Sequence, residues 1–127
     1  TEIERGAIIR FGQAIEDDNP VFNDEEAARK SQYGGLIAPP TFLRSIRSSR
    51  REVPFDIPFN NGLDGGSDWE YFEPVRPGDL ITAVSRITDM QERSGRMGVM
   101  IITSTVTTYT NQFEQVVATQ TTTGIRY

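Results

Sequence analysis

Two side chains that carry much of enzyme chemistry are missing from this chain of 127 residues, which has no cysteine and no histidine. Without cysteine there are no disulfides, no thiolate nucleophiles and no Cys-built metal sites. Without histidine there is no Ser-His-Asp triad, no usual zinc site and no imidazole general base. Any chemistry must rest on carboxylates, hydroxyls and amides, or on residues lent by another chain. No apolar run approaches the roughly 18 residues of a membrane-spanning helix. The opening Thr1-Glu2-Ile3-Glu4-Arg5 has neither the basic nor the apolar region of a secretory leader. A cytoplasmic setting away from any membrane is therefore expected. Positive charge is outnumbered, with 13 Lys and Arg against 18 Asp and Glu and a net charge of -5. Phosphate binding rests on clustered positive charge, so this balance argues against a nucleic-acid partner.

What is present suits a globular protein. Hydrophobic residues make up 36% and charged residues 24%, and the length predicts one domain over residues 1–127. Ile8, Ile9, Phe11 and Ile15 fall at near-helical spacing, predicting an amphipathic helix over 7–16. Asp17-Asp18-Asn19-Pro20 stops it, because Pro20 cannot continue a helix and pushes Asn19 toward extended geometry. Asn23 or Asp24 reads as the cap of a second helix over 25–30, with acids first and bases last as the helix dipole favours. After Gly34-Gly35, a third helix is predicted from Pro40 to about Arg47, burying Phe42, Leu43 and Ile46. Residues 52–66, with Pro54, Pro58, Asn60-Asn61-Gly62 and Gly65-Gly66, read as a long loop.

From Ser67 the pattern turns to strand. Trp69 and Tyr71 alternate with Glu70, and Pro77-Gly78-Asp79 makes a turn. Strands are predicted over 80–88, 97–109 and 116–125, joined by turns at Arg93-Ser94-Gly95 and Thr110-Asn111-Gln112. Early helices followed by a meander of strands give an α+β architecture, an antiparallel sheet packed on a helix.

Four stretches stand out by order and spacing: Asp17-Asp18-Asn19-Pro20-Val21-Phe22, Tyr33-Gly34-Gly35-Leu36-Ile37-Ala38-Pro39-Pro40-Thr41-Phe42, Arg76-Pro77-Gly78-Asp79-Leu80-Ile81 with Pro74-Val75 before it, and Tyr109-Thr110-Asn111-Gln112. Each alone reads as a helix stop, a helix start, a strand connection or a hairpin turn. Together they resemble the MaoC-like family, specifically its FAS1-like dehydratase hot-dog domain, from about Ile8 to Tyr127. That family carries Asp-x-Asn-Pro-x-His, then a run like Ala-Pro-Pro-Thr-Phe, then Pro-x-x-Pro-Gly-Asp. The resemblance implies a hot-dog fold, an antiparallel sheet wrapped around a central helix. It also implies (R)-specific hydration of an enoyl thioester or the reverse dehydration of a 3-hydroxyacyl thioester. An Asp and a His work on one water while a backbone N–H polarises the thioester carbonyl. The resemblance implies no cofactor and no metal, since the substrate rides on coenzyme A or acyl carrier protein.

The sequence departs from that pattern twice. Phe22 stands in the His position, leaving Asp17 and Asn19 as a vestigial catalytic motif. Pro39 falls where the carbonyl donor is needed, and proline has no N–H. Tyr33 and Asn23 are the nearest substitutes for the missing His, but a tyrosine with an ordinary pKa of about 10 is a poor base at neutral pH. The family's hot-dog domains pair edge to edge, and in its heterodimers one half carries Asp and His while the other shapes the acyl tunnel. This chain resembles that second half, with a His-containing hot-dog subunit as the implied partner and a homodimer mate as the alternative. Tyr33, Pro39, Phe42, Phe55 and Phe59 are the expected acyl contacts, although the loop holding Phe55 and Phe59 reads equally as packing on its own core. Arg47, in a cluster with Arg44, Arg50 and Arg51, suits a phosphate of the thioester carrier or a solvated helix face. Two other readings stay open: a self-sufficient homodimer with an altered site, such as a thioesterase using Asp17, and a non-enzymatic acyl-thioester binding module.

Overall fold

The computed structural model describes residues 1–50, 59, 61–96 and 98–127. Helix α1 spans Arg5–Ala14 and buries Ile8 and Gly12. It ends where Glu16 takes φ 57° and the Asp17 N–H donates to the Gly12 carbonyl at 2.9 Å. Helix α2 spans Glu25–Arg29 and is capped by Asp24, not Asn23. Its Oδ1 accepts from the Glu26 and Ala27 N–H groups at 3.1 and 3.2 Å.

The expected third helix is corrected. Pro40–Ser45 forms a six-residue 3-10 segment, and the chain is extended again at Ile46. Pro39 and Pro40 open the segment without N–H groups, and the Ser45 hydroxyl bonds back to the Phe42 carbonyl at 2.6 Å, competing with further helix. The segment is shorter and tighter than expected, but Phe42, Leu43 and Ile46 are buried as expected, in one core with Ile8 of α1.

Five strands form one sheet in the order β1-β3-β4-β5-β2. They are β1 Ser49–Arg50, β2 Gly62–Tyr71, β3 Thr82–Gly95, β4 Gly98–Thr110 and β5 Val116–Arg126. Four run antiparallel, and the two-residue β1 pairs parallel to β3. The expected α+β architecture holds, with longer strands than alternation alone predicts. β2 begins inside the expected loop, absorbing a register shift between Asp64 and Gly66. β3 continues past a shift between Ile87 and Asp89, through the expected turn at 93–95, to pair Gly95 with Gly98.

Register explains the core. Ala83, Tyr109, Ala118 and Tyr71 lie in one row across β3, β4, β5 and β2, and the next row holds Ser85, Thr107, Gln120 and Trp69. Onto the first row pack Ile3, Ile8, Phe42, Leu43 and Ile46. The buried hydroxyls of the second row are paired with each other. Ser85 Oγ lies 2.7 Å from Thr107 Oγ1 and donates to Ser48 Oγ at 2.8 Å. The first residues are tied to the turn before β3, with the Ile3 N–H on the Asp79 carbonyl and the Gly78 N–H on the Ile3 carbonyl. No helix among the described residues is long and apolar enough to cross a membrane.

Candidate functional site

The Asp17–Phe22 motif forms a turn between α1 and α2, and one side-chain oxygen each of Asp17 and Asn19 holds that turn. Asp17 Oδ1 accepts from the Asn19 N–H at 3.1 Å, and Asn19 Oδ1 accepts from the Val21 N–H at 3.2 Å. Asn19 is thereby the cap of the 3-10 turn Pro20–Phe22. These side-chain oxygens hold local backbone in the way short polar side chains at turns commonly do. Phe22 is 7% exposed. It faces α1, where a Cβ on Gly12 would sit 3.7 Å from Phe22 Cβ. An imidazole at this position would need a proton path to substrate; the ring instead fills core beside α1.

The second departure is equally plain. Pro39 is fully buried, and the amides before it are committed. The Ile37 N–H donates to the Val21 carbonyl at 3.1 Å and the Ala38 N–H to the Val75 carbonyl at 2.7 Å. Pro39 and Pro40 supply no N–H at all, so these four residues offer no free donor to a thioester oxygen.

A cavity of about 210 Å³ opens between this segment and the end of β2. It is lined by Tyr33, Ile37, Pro39, Pro40 and Leu43 from this part of the chain and by Tyr71, Phe72, Glu73 and Val75 from the end of β2 and the segment after it. Of the residues expected to contact an acyl group, Tyr33 and Pro39 both line this cavity. Phe42 is not with them. It is 7% exposed and meets Phe11 edge-on, with ring centroids 5.4 Å apart, so it serves the core. Arg47 is exposed and away from this cavity, and Phe59 is half-buried and does not line it. Phe55 and Arg51 lie outside the described residues. Sequence reasoning missed Phe72 and Glu73, although an aromatic pair just before Pro74 was a usable sign of exposed apolar surface at a strand end.

Beside the cavity, Trp69 stacks on Tyr71 and on Tyr109, with centroids 5.7 and 5.6 Å apart. Burial raises the Tyr109 pKa above the ordinary tyrosine value; the nearby Tyr71 adds to this and Arg44 opposes it. Burial also raises the Tyr71 pKa. Raised hydroxyls stay protonated at neutral pH, so neither is a base there; both can donate a hydrogen bond. No cluster of three acids capable of holding a metal occurs among the described residues.

A sheet of order β1-β3-β4-β5-β2, antiparallel except for the short β1, with α1 and the 3-10 segment packed on its core row, has the hot-dog fold of the MaoC-like dehydratases. The chain belongs to the family described as "FAS1-like, dehydratase domain region", whose model matches residues 1–120. It is similar to a UPF0336 protein of Streptomyces avermitilis, 32% identical over 99 residues, covering 74% of this chain and 66% of that protein's length. In structure it is similar to the MaoC-like dehydratase from Rhodospirillum rubrum, with TM-score 0.77 and 25% identity over 100% of this chain and 86% of the other. It is equally similar to a chain of the HadBC (3R-hydroxyacyl-ACP dehydratase) complex from Mycobacterium tuberculosis, with TM-score 0.77 and 25% identity over 98% and 88%.

Proposed function

We propose that this chain is the non-catalytic half of an (R)-specific enoyl-thioester hydratase or 3-hydroxyacyl-thioester dehydratase, shaping the acyl site while a His-containing hot-dog subunit performs proton transfer. One observation carries the reading. At the motif where the family places its acid/base pair, a buried Phe22 replaces the His, and Asp17 and Asn19 are engaged in holding the turn. Membership of a dehydratase family supports the reaction class. Likeness to a component of a dehydratase complex supports a partner. The apolar cavity beside Pro39 supports contact with an acyl-thioester.

Magnitudes decide against self-sufficiency. Loss of the acid/base group costs about 100- to 10,000-fold, and loss of one oxyanion donor costs about 100- to 1000-fold. Together these leave little turnover. The test is hydration of crotonyl-CoA and longer enoyl-CoA thioesters by this chain alone and with a sister protein carrying Asp-x-Asn-Pro-x-His. The expected result is turnover only in the mixture. Robust turnover by the chain alone defeats the reading. A non-enzymatic acyl-thioester module is the second reading, favoured by the cavity itself. It predicts acyl-CoA binding by calorimetry and no gain in turnover with any His-containing partner.

A further inference from the structure

Of the five asparagines in the chain, Asn19, Asn23, Asn60, Asn61 and Asn111, one is followed by glycine. The pair Asn61-Gly62 stands at the start of β2, and both residues are exposed. The side-chain amide of an asparagine is an electrophile within reach of the next residue's backbone nitrogen. Whether that nitrogen attacks depends on whether it is free and uncrowded.

The ladder leaves the Gly62 nitrogen free. The Asn61 N–H donates to the Tyr127 carbonyl at 3.2 Å, and the Tyr127 N–H donates to the Asn61 carbonyl at 3.1 Å. Asn61 and Tyr127 are therefore a hydrogen-bonded antiparallel pair. Such pairs alternate with non-bonded ones, and the next pair is Gly62 with Arg126. The Gly62 N–H thus points away from β5, and β2 is outermost, so no further strand of the sheet receives it.

The fold itself does not call for glycine at this position. Gly62 does not take the positive φ of Gly34, Gly66, Gly78 and Gly98. A Cβ there would meet only the Ile125 carbonyl oxygen, at an ordinary 3.9 Å. What glycine does supply is a nitrogen with no side chain beside it.

The other asparagines of known placement each lack a requirement. Asn19 precedes Pro20, which has no N–H. After Asn23, the Asp24 N–H is engaged by the Pro20 carbonyl at 2.8 Å. The Asn111 amide is held at both ends, its Oδ1 by the Phe113 and Gln115 N–H groups and its Nδ2 on Gln115 Oε1. The nearby Asp64-Gly65 offers a carboxylate, a poor electrophile when ionised, and its Oδ1 accepts from the Gly66 N–H at 2.9 Å. Attack at Asn61 needs rotation that lifts its carbonyl off Tyr127. That rung lies at the exposed end of the ladder, where opening costs little.

We propose that Asn61-Gly62 is a self-modification site, at which the folded chain deamidates with water as its only co-reactant. The Gly62 nitrogen gives up its proton and bonds to Asn61 Cγ. The Cγ–Nδ2 bond breaks, and Nδ2 leaves as ammonia carrying that proton. Water then opens the five-membered imide. Opening at Cγ gives aspartate, and opening at the main-chain carbonyl gives isoaspartate, with no change of oxidation state. Either product adds one negative charge to a net charge of -5. Isoaspartate also puts an extra methylene into the backbone, so the rung to Tyr127 cannot re-form in register. The site is independent of the functional reading above.

The full chain is kept folded in mildly alkaline buffer for weeks, and its peptides are mapped by mass spectrometry with fragmentation that separates aspartate from isoaspartate. The expected result is an amide-to-acid mass gain at Asn61, faster as pH rises and well ahead of any gain at Asn111. Gly62→Ala, which the open space around Gly62 allows to fold, should slow the conversion at least about tenfold, equivalent to about 1.4 kcal/mol on the barrier. Circular dichroism checks that this variant is folded. Amide exchange at Tyr127 should be faster in the isoaspartate form than in N61D, which has the charge without the extra methylene. The inference is overturned if Asn61 stays intact, if Asn111 converts as fast, or if Gly62→Ala converts at the rate of the unmodified chain. Equal exchange at Tyr127 in the two acidic forms would overturn the effect on the ladder.

Discussion

Single residues here separate a motif's chemistry from its scaffolding. Asp17 resembles a catalytic aspartate in sequence, yet its Oδ1 is engaged by the Asn19 N–H. An asparagine can accept that hydrogen bond and carries no charge, so two substitutions divide the roles. Asp17→Ala should cost about 1 kcal/mol, the usual worth of a capping oxygen, read as a lower denaturation midpoint. Asp17→Asn should keep most of that stability and leave turnover of the assembled complex within about twofold. A fall of about 100-fold in Asp17→Asn turnover would return the carboxylate to acid/base work. Tyr109 gives a second residue-scale test. Its raised pKa means that the folded chain holds the phenolic proton more tightly than the unfolded chain does. The stability this contributes is complete below the unfolded value of about 10 and is lost as pH rises through the higher folded value. Melting curves from about pH 8 to about pH 11 should fall less steeply for Tyr109→Phe, which keeps the stack on Trp69 and removes the titration. An unchanged slope would assign the alkaline loss to other groups.

At the scale of elements, sequence reasoning succeeded where side-chain pattern and backbone preference agree. β4 and β5 were legible because Val, Ile and Thr fill them. The cap of α2 was legible to within one residue, Asn23 or Asp24, because short polar side chains before helical turns have few other uses, whereas the cap at Asn19 was not read from the sequence. The third helix failed because Phe42, Leu43 and Ile46 keep helical spacing while Pro39 and Pro40 open the segment and Ser45 diverts the Phe42 carbonyl. The start of β2 was missed because Asn61-Gly62 and Gly65-Gly66 read as loop. Gly65 in fact sits at a register shift, where a Cβ would lie 3.2 Å from the Thr123 carbonyl oxygen. The Pro77-Gly78-Asp79 turn is held by a residue 33 positions away, which no local pattern announces. Gln112 Nε2 donates to Asp79 Oδ1 at 3.0 Å, and its Oε1 accepts from the Leu80 N–H at 3.0 Å. Gln112→Ala should therefore lower stability by about 1 kcal/mol, a shift of about 3–6 °C in Tm. It should also speed amide exchange at Leu80. No change at Leu80 would show the clasp to be incidental.

At the scale of the whole molecule, exposed apolar groups gather along β2, a cost that the proposed partner would relieve. Leu63, Tyr71 and Phe72 are 47%, 45% and 54% exposed along a single edge, beside a cavity that this chain walls on only part of its circumference. A partner that binds the folded form and not the unfolded one raises apparent stability by about 2.7 kcal/mol when its free concentration is 100 times Kd. The chain's melting temperature should consequently climb with the logarithm of partner concentration, and amide exchange along Gly62–Tyr71 should slow in the same titration. Phe72→Ser removes an exposed anchor without touching the core row of Ala83, Tyr109 and Ala118. It should leave the melting temperature of the isolated chain nearly unchanged while moving the partner titration to higher concentration. If Phe72→Ser instead destabilises the isolated chain and leaves the titration where it was, Phe72 belongs to this chain's own packing and the partner docks elsewhere.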